Sequence, residues 1–231
     1  MTQVIAVEGL GVTFAGFRAL SEVSFAIGMS GITSVIGPNG AGKTTLFNLI
    51  TGLNRPTTGT IRFEGRDLRG VSAASRVRGG MVRSFQRTNV FREMTARDNV
   101  ACALMAVRRR YWNPLTGPLA LEREEADGWL AKVGLSKFAE TTASEMSHGD
   151  QKLLDLALAL VYTPRLLLLD EPTAGMSSEE TRRVIGLIEN LVRNDGLTLF
   201  FTEHDMEVVF GISDRILGHK LINGIPKFSE Q

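Results

Sequence analysis

Two stretches carry residue types that handle phosphate. GPNGAGKT, Gly37 to Thr44, fits G-x-x-x-x-G-K-[ST] at every position. Glycines in such a turn let successive backbone N–H groups converge on phosphate oxygens, and the positive end of the following helix adds to the attraction. Pro38, Asn39, Gly40, Ala41, Gly42 and Thr45 complete the loop. Within it the Lys43 ammonium suits β and γ phosphates, and the Thr44 hydroxyl suits Mg²⁺. The second stretch, LLLLDEP from Leu166 to Pro172, supplies carboxylates. Asp170 ends an unbroken apolar run, so it emerges at the carboxyl edge of a sheet, where ligands collect in open α/β folds. There it suits a water-mediated Mg²⁺ contact. Glu171, next in the chain, is placed to polarise an attacking water. A glycine turn alone is ordinary, and so is an acidic pair after a strand. In this order they point to hydrolysis of a nucleoside triphosphate.

Gln86 in VRSFQRTNVF and His204 in LTLFFTEH are weaker signals. A lone glutamine is usually a surface residue and a lone histidine usually structural. Each, however, follows an apolar strand pattern, and loops after adjacent parallel strands collect at one edge. A further stretch, SEMSHGDQKLLDLALAL, opens a core helix on Ser147-His148-Gly149-Asp150. Ser147-x-x-Asp150 is a capping-box pattern. Such a helix end also carries free N–H groups and positive dipole.

The elements that must position these groups are legible in outline. VIAV, GVTF, VSFAI and ITSVIG read as short strands in the first ~35 residues. A helix follows the glycine loop and stops at Gly52. GTIRFEG reads as a strand between turns, and RLLLLD and LTLFFTEH as strands buried on both faces. SSEETRRVIGLIENLVRN reads as an amphipathic helix capped by Ser177 or Ser178. Helical spacing dominates from about residue 87 to 162, with RRRYWNPLTGPLALEREE as an exposed interruption. Strands alternating with helices imply a parallel sheet covered on both sides.

Composition narrows the classes. The 231 residues are 43% hydrophobic and 22% charged, with formal net charge +1, so the whole molecule has no bulk attraction for nucleic acid or anionic lipid. Cys102 is the one cysteine, which excludes an intrachain disulfide and fits a reducing compartment. MTQVIAVEGL lacks a basic n-region and a long apolar h-region, and no apolar run approaches the roughly 20 residues that span a bilayer. A cytoplasmic chain is expected.

Gly37–Thr45, Gln86, Ser147-His148-Gly149, Leu166–Glu171 and His204, in that order, resemble the ATPase subunit of an ABC transporter over nearly the whole chain. The resemblance implies an α/β P-loop NTPase fold: a RecA-like core with an N-terminal antiparallel β subdomain, plus an α-helical subdomain. It makes 1–231 a single ABC ATPase domain, with core 1–86 and 163–231 and helical part about 87–162. It implies ATP and Mg²⁺ as cofactors. Lys43 then binds phosphate, Thr44 binds Mg²⁺, and Gln86 reaches the metal, senses the γ-phosphate and meets the membrane subunits. Asp170 supports Mg²⁺, Glu171 is the catalytic base and His204 the switch histidine. Phe14 matches the aromatic that stacks on adenine, with Phe17 as rival and a core position as the bland alternative. Ser147, His148 and Gly149 form the signature loop that closes on nucleotide held by a second ABC ATPase subunit. The pair is expected to be a hetero- or homodimer, and the resemblance suggests a similar, separately encoded chain as the second subunit. Two transmembrane permease subunits are further implied partners, as is, indirectly, a periplasmic or extracellular solute-binding protein. The chain is then peripheral on the inner face of the membrane.

GMVRSFQRTNVFREMTARDNV and LLLLDEPTAGMSSEET are most similar to ATPases of branched-chain amino acid importers, with the urea and amide branch close. Met146, His148 and Asp150 depart from the usual signature Leu-Ser-Gly-Gly-Gln, and Ser177 stands where an aspartate is common. About four residues usual between Asp214-Arg215-Ile216 and Gly218 are missing, so the final strand is expected to be short or out of register. An alternative is a soluble ABC ATPase acting on nucleic acid or ribosomes, suggested by the arginine-rich segment from Arg66 to Arg110. The reading as a solvated face, with no nucleic acid bound, is favoured over it. A small-molecule kinase is opposed by the signature loop, Gln86 and His204.

Overall fold

The computed structural model describes residues 3–84, 90–108, 120–222 and 225–230. Contacts gather the chain into two compact units. One is Met1–Arg83 with Arg165–Pro172 and Ile188–Gln231; the other is Ser84–Pro164 with Thr173–Leu187.

The first unit holds two sheets. Strands β1 (Gln3–Phe14) and β2 (Phe17–Gly28) form a hairpin. Its turn residues, Ala15 and Gly16, have φ of 45° and 86°, the two-residue geometry that matches strand twist. VIAV and GVTF, which read as separate strands, lie in one. Gly9, at φ 58°, takes up an irregularity between Val7 and Leu10 without ending the pairing. Strand β4 (Thr58–Phe63) pairs antiparallel with β1, and β5 (Arg66–Asp67) with β4. The order is β2-β1-β4-β5, the antiparallel layer that the resemblance implies.

The second sheet has the order β10-β9-β3-β8-β7-β6. Its members are β3 (Ile32–Ile36), β6 (Met81–Ser84), β7 (Leu166–Asp170), β8 (Thr198–Thr202), β9 (Arg215–Ile222) and β10 (Ile225–Glu230). Strands β3, β7, β8 and β9 run parallel where they pair. Every residue of β7 and β8 is buried, which is why both read as unbroken apolar runs. Helix α1 (Lys43–Thr51) ends on Gly52 at φ 80°, the stop that glycine foretells, and a short helix α2 (Ala73–Arg78) follows β5. Phe200 of β8 lies 5.5 Å from Phe25 of β2 and 5.0 Å from Phe47 of α1, ring to ring. One buried ring thus ties both sheets to the helix behind the glycine loop, and burying such a side chain contributes about 1.5–3 kcal/mol.

The closing strand is neither short nor slipped. The Asp214 carboxylate accepts the Ile32 N–H at 2.8 Å, which sets the register before the gap is reached. Thr33 then faces Arg215 and Ile36 faces Gly218, and Leu217 is fully buried. Strand β10 completes an antiparallel hairpin from Ile225↔Ile222 to Glu230↔Leu217.

The second unit is helical. Helices α3 (Ala96–Arg108), α4 (Ala120–Lys132) and α5 (His148–Leu160) bury Ala96, Val100 and Leu104, Ala126 and Leu130, and Leu153 and Ala157. These are i, i+4 stripes facing one core. Besides Ser84–Pro164, this unit takes in Thr173–Leu187. The added part is held by Arg183, which pairs with Asp150 at 2.7 Å and donates to the Gly134 carbonyl at 2.9 Å. Among the described residues no helix is long and apolar enough to cross a membrane.

Candidate functional site

Strand β3 delivers the chain into loop 37–42, and α1 takes it out. Gly40 and Gly42 have φ of 80° and 83°, which only glycine adopts at no cost. Gly42 is the N-cap of α1 and provides no side-chain cap, so the first helical N–H groups are offered to an incoming anion. A Cβ at Gly42 would also lie 2.7 Å from Leu20 Cδ2. The Ala41 N–H bonds the Pro38 carbonyl at 3.1 Å, closing the turn over exposed Asn39. Lys43 is buried, and its Nζ donates to the Gly37 carbonyl at 2.6 Å and the Pro38 carbonyl at 3.2 Å. Burial lowers its pKa, while the Glu171 and Asp170 carboxylates oppose that shift. The ammonium is therefore folded back across its own loop, beside the acidic pair. Thr45 follows it, half-buried.

Asp170 stands at the end of β7 with 4% exposure. Its Oδ1 accepts from the Thr202 hydroxyl at 2.6 Å, and its Oδ2 accepts from Arg83 Nη2 at 2.7 Å. Thr44 Oγ1 lies 3.5 Å from the same Oδ2. Sequence reasoning passed over Arg83, an unremarked residue in MVRSF. Its guanidinium also donates to Asn48 at 2.6 Å and lies 5.5 Å from the centre of the Phe47 ring. A hydroxyl and a carboxylate this close suit a metal that keeps most of its ligands as water and phosphate oxygens, the habit of Mg²⁺.

Glu171 has φ of 52°, costly for a residue with a side chain and common at working sites. Its N–H is held by the Thr202 carbonyl at 3.0 Å. Its Oε1 is 2.7 Å from His204 Nε2. Parallel strands β7 and β8 thus bring two residues 33 positions apart into one hydrogen bond at the sheet edge. This arrangement can hold a carboxylate still while it accepts a proton.

The remaining expected residues fall elsewhere. Ser147 is the N-cap of α5, its hydroxyl accepting the Asp150 N–H at 3.1 Å, as the capping box foretells. Gly149 donates its N–H to Glu180 Oε1 at 3.1 Å. His148 is exposed; a Cβ placed at Gly175 would lie 3.6 Å from its Nε2, so the ring leans to the loop before α6 (Ser178–Asp195). Phe14 and Phe17 face each other across the β1–β2 turn and are 43% and 73% exposed. A buried core position is thereby excluded for both. Gln86 lies outside the described residues. Glu180 was read only as part of an amphipathic helix. The capping-box spacing Ser177-x-x-Glu180 is the signal that could have singled it out.

A glycine loop at a helix N-terminus, joined to an acidic pair on the next-but-one strand of a parallel sheet, defines a P-loop nucleotide-hydrolysing domain. Comparison with known proteins narrows this. The family described as "ABC transporter" matches residues 20–174. The chain is 39% identical to the high-affinity branched-chain amino acid transport ATP-binding protein LivG of Salmonella typhimurium, covering 97% of this chain and 92% of that protein. It is 37% identical to the corresponding BraF of Pseudomonas aeruginosa, with the same coverage. Among solved structures, a nucleotide-free ATP-binding cassette from an ABC transporter superposes with TM-score 0.84 at 28% identity, covering 99% of this chain and 90% of that one. A dimeric post-hydrolysis cassette bound to ADP and phosphate gives 0.81 at 25% identity, covering 98% and 97%. The chain belongs to the ABC transporter family and is an ATPase of that family.

Proposed function

We propose that this chain is the ATP-hydrolysing subunit of an importer for branched-chain amino acids or related amino acids and amides. The observation that carries the reaction is Glu171 Oε1 at 2.7 Å from His204 Nε2, beside Asp170. The transport assignment rests on the likeness to LivG and BraF over 97% of the chain. Loop 37–45 grips the triphosphate through backbone N–H groups, with Lys43 leaving its two carbonyl partners for phosphate oxygens. Thr44 and Asp170 hold Mg²⁺, which supplies positive charge against the phosphates. Glu171 accepts a proton from the attacking water, and His204 fixes its carboxylate. Gln86 is assigned to the γ-phosphate and the metal by family likeness. Phe14 offers its exposed ring to adenine, where stacking contributes about 1–3 kcal/mol.

Ser147, His148 and Gly149 meet nucleotide held by a second ABC ATPase subunit, and the pair drives two permease subunits fed by a solute-binding protein. The chain then works at the inner membrane face. A nucleic-acid role finds no support: Arg76 donates to backbone carbonyls, Arg83 pairs with Asp170, Arg97 with Asp127 and Glu140, and Arg108 with Glu122 and Glu125. These four arginines of the basic segment pair within the protein, while Arg66, Arg69, Arg78 and Arg92 are exposed. The test is uptake of labelled leucine and of a short amide into vesicles holding the chain with its membrane subunits. Uptake that requires ATP and stops with Glu171→Gln is expected. Association with ribosomes instead of permeases defeats the reading.

A further inference from the structure

One carboxylate joins the starts of two helices. At α6, Glu180 Oε2 accepts the Ser177 N–H at 3.0 Å, and the Ser177 hydroxyl lies 3.3 Å from the Glu180 N–H. That reciprocal pair already completes the cap. The other oxygen, Oε1, turns away to α5. It accepts the Gly149 N–H at 3.1 Å and lies 3.3 Å from Ser147 Oγ. A Cβ at Gly149 would sit 2.4 Å from Oε1 and 2.9 Å from the Glu180 Cγ. Gly149 is not in a left-handed conformation, so close approach of Glu180 is what the structure shows this glycine accommodating. The carboxyl pKa is lowered, first by the Ser177 N–H and hydroxyl and further by Gly149 and Ser147. Glu180 therefore stays an anion at neutral pH.

We propose that Glu180 is an internal competitor for the terminal phosphate, and that it raises the triphosphate concentration needed to close the nucleotide pair. This rests on the reading of Ser147–Gly149 as the loop that meets the opposite subunit's nucleotide. A carboxylate oxygen and a phosphate oxygen are acceptors of the same kind, and the Gly149 N–H is a single donor. Two anions at that point also repel. A γ-phosphate must displace Oε1, whereas a diphosphate, one phosphate shorter, leaves Glu180 in place. The displaced side chain keeps its Ser177 contacts through Oε2, so the fold tolerates the exchange.

The test compares the Glu171→Gln chain with and without Glu180→Gln. The amide keeps the size and one acceptor oxygen, puts an N–H donor in place of the other oxygen, and removes the charge. Sedimentation is followed against MgATP and MgADP in the presence of the second ATPase subunit, with Ser147→Ala as a third sample. Glu180→Gln should lower the ATP concentration for half-maximal dimer by about tenfold, the equivalent of one charge-assisted hydrogen bond, and should leave the ADP requirement unchanged, so that the preference for ATP over ADP widens. In the nucleotide-free chain, the Gly149 amide resonance should follow a carboxyl titration that Glu180→Gln abolishes. An unchanged or higher ATP requirement, or a Gly149 amide blind to that titration, overturns the competition while Ser147→Ala still loses dimer. If Ser147→Ala keeps full dimer, or no sample associates with ATP, the signature-loop reading itself fails and the proposal goes with it.

Discussion

Glu171 and His204 meet through Oε1 and Nε2 at 2.7 Å, and the contact exists because Asp170 and Thr202 are paired neighbours on parallel strands. Each partner is the residue one or two places beyond its strand, so the register of β7 on β8 sets the distance. Glu171→Gln keeps the shape and removes the base. ATP binding should survive while steady-state hydrolysis falls on the order of 10²–10⁴, the contribution of a general base. His204→Ala should remove the contact at Glu171 Oε1, with a smaller fall in kcat and little change in KM. Phosphate release and equilibrium ATP binding, measured on both variants, decide the matter. Turnover near wild type in Glu171→Gln removes it from the role.

Lys43→Ala removes the ammonium that bridges the Gly37 and Pro38 carbonyls. The fold loses little, because Phe47, Leu46 and Ile50 of α1 keep their buried contacts. Nucleotide affinity should drop at least tenfold, the loss of about one charge-assisted contact, with an unaltered circular dichroism spectrum. Unchanged affinity at physiological salt would place the nucleotide elsewhere.

Much of this site was legible because its residues sit in local patterns. The loop 37–45, the strand ending on Asp170 and the helix stop at Gly52 each depend on neighbours within a few positions. Ser147 as cap is equally local. Arg83 and Glu180 were missed because their partners are distant: Asp170 lies 87 positions from Arg83 and Gly149 lies 31 from Glu180. No periodicity encodes such pairings. The closing strand was misjudged for a related reason. A gap of four residues reads as a register error, yet Asp214 pins the strand through Ile32, far away in sequence and upstream of the gap.

Asp214 also holds Arg193 at 2.6 Å. The Arg193 hydrogen bond, then the Ile32 N–H, hold its carboxyl below its ordinary pKa. A depressed carboxyl adds stability above its unfolded pKa, near 3.9, and loses it as pH falls through the lower folded value. Asp214→Asn should therefore lower Tm at pH 7, by about 2–4 °C for each kcal/mol lost. The gap between variant and parent should close below about pH 4. Thermal melts from pH 7 to pH 3 test this. A Tm difference that stays constant with pH would mean that the Asp214 charge contributes nothing.

Arg83 and Asp170 form an ion pair at 2.7 Å with side chains 7% and 2% exposed. Removing one member of such a pair leaves a buried charge without its partner, which costs about 3–5 kcal/mol. Arg83→Met fills similar volume and can still pack on Phe47, so the loss should come from the stranded carboxylate and not from a cavity. The nucleotide-free variant should melt on the order of 10 °C lower. Adding Asp170→Asn should recover part of that loss, since the amide carries no charge to strand. The coupling between the two substitutions separates this cause from poor packing. A single variant that melts within a degree or two of the parent, or a double variant worse than the sum of its singles, would show that Arg83 does not stabilise the Asp170 carboxylate.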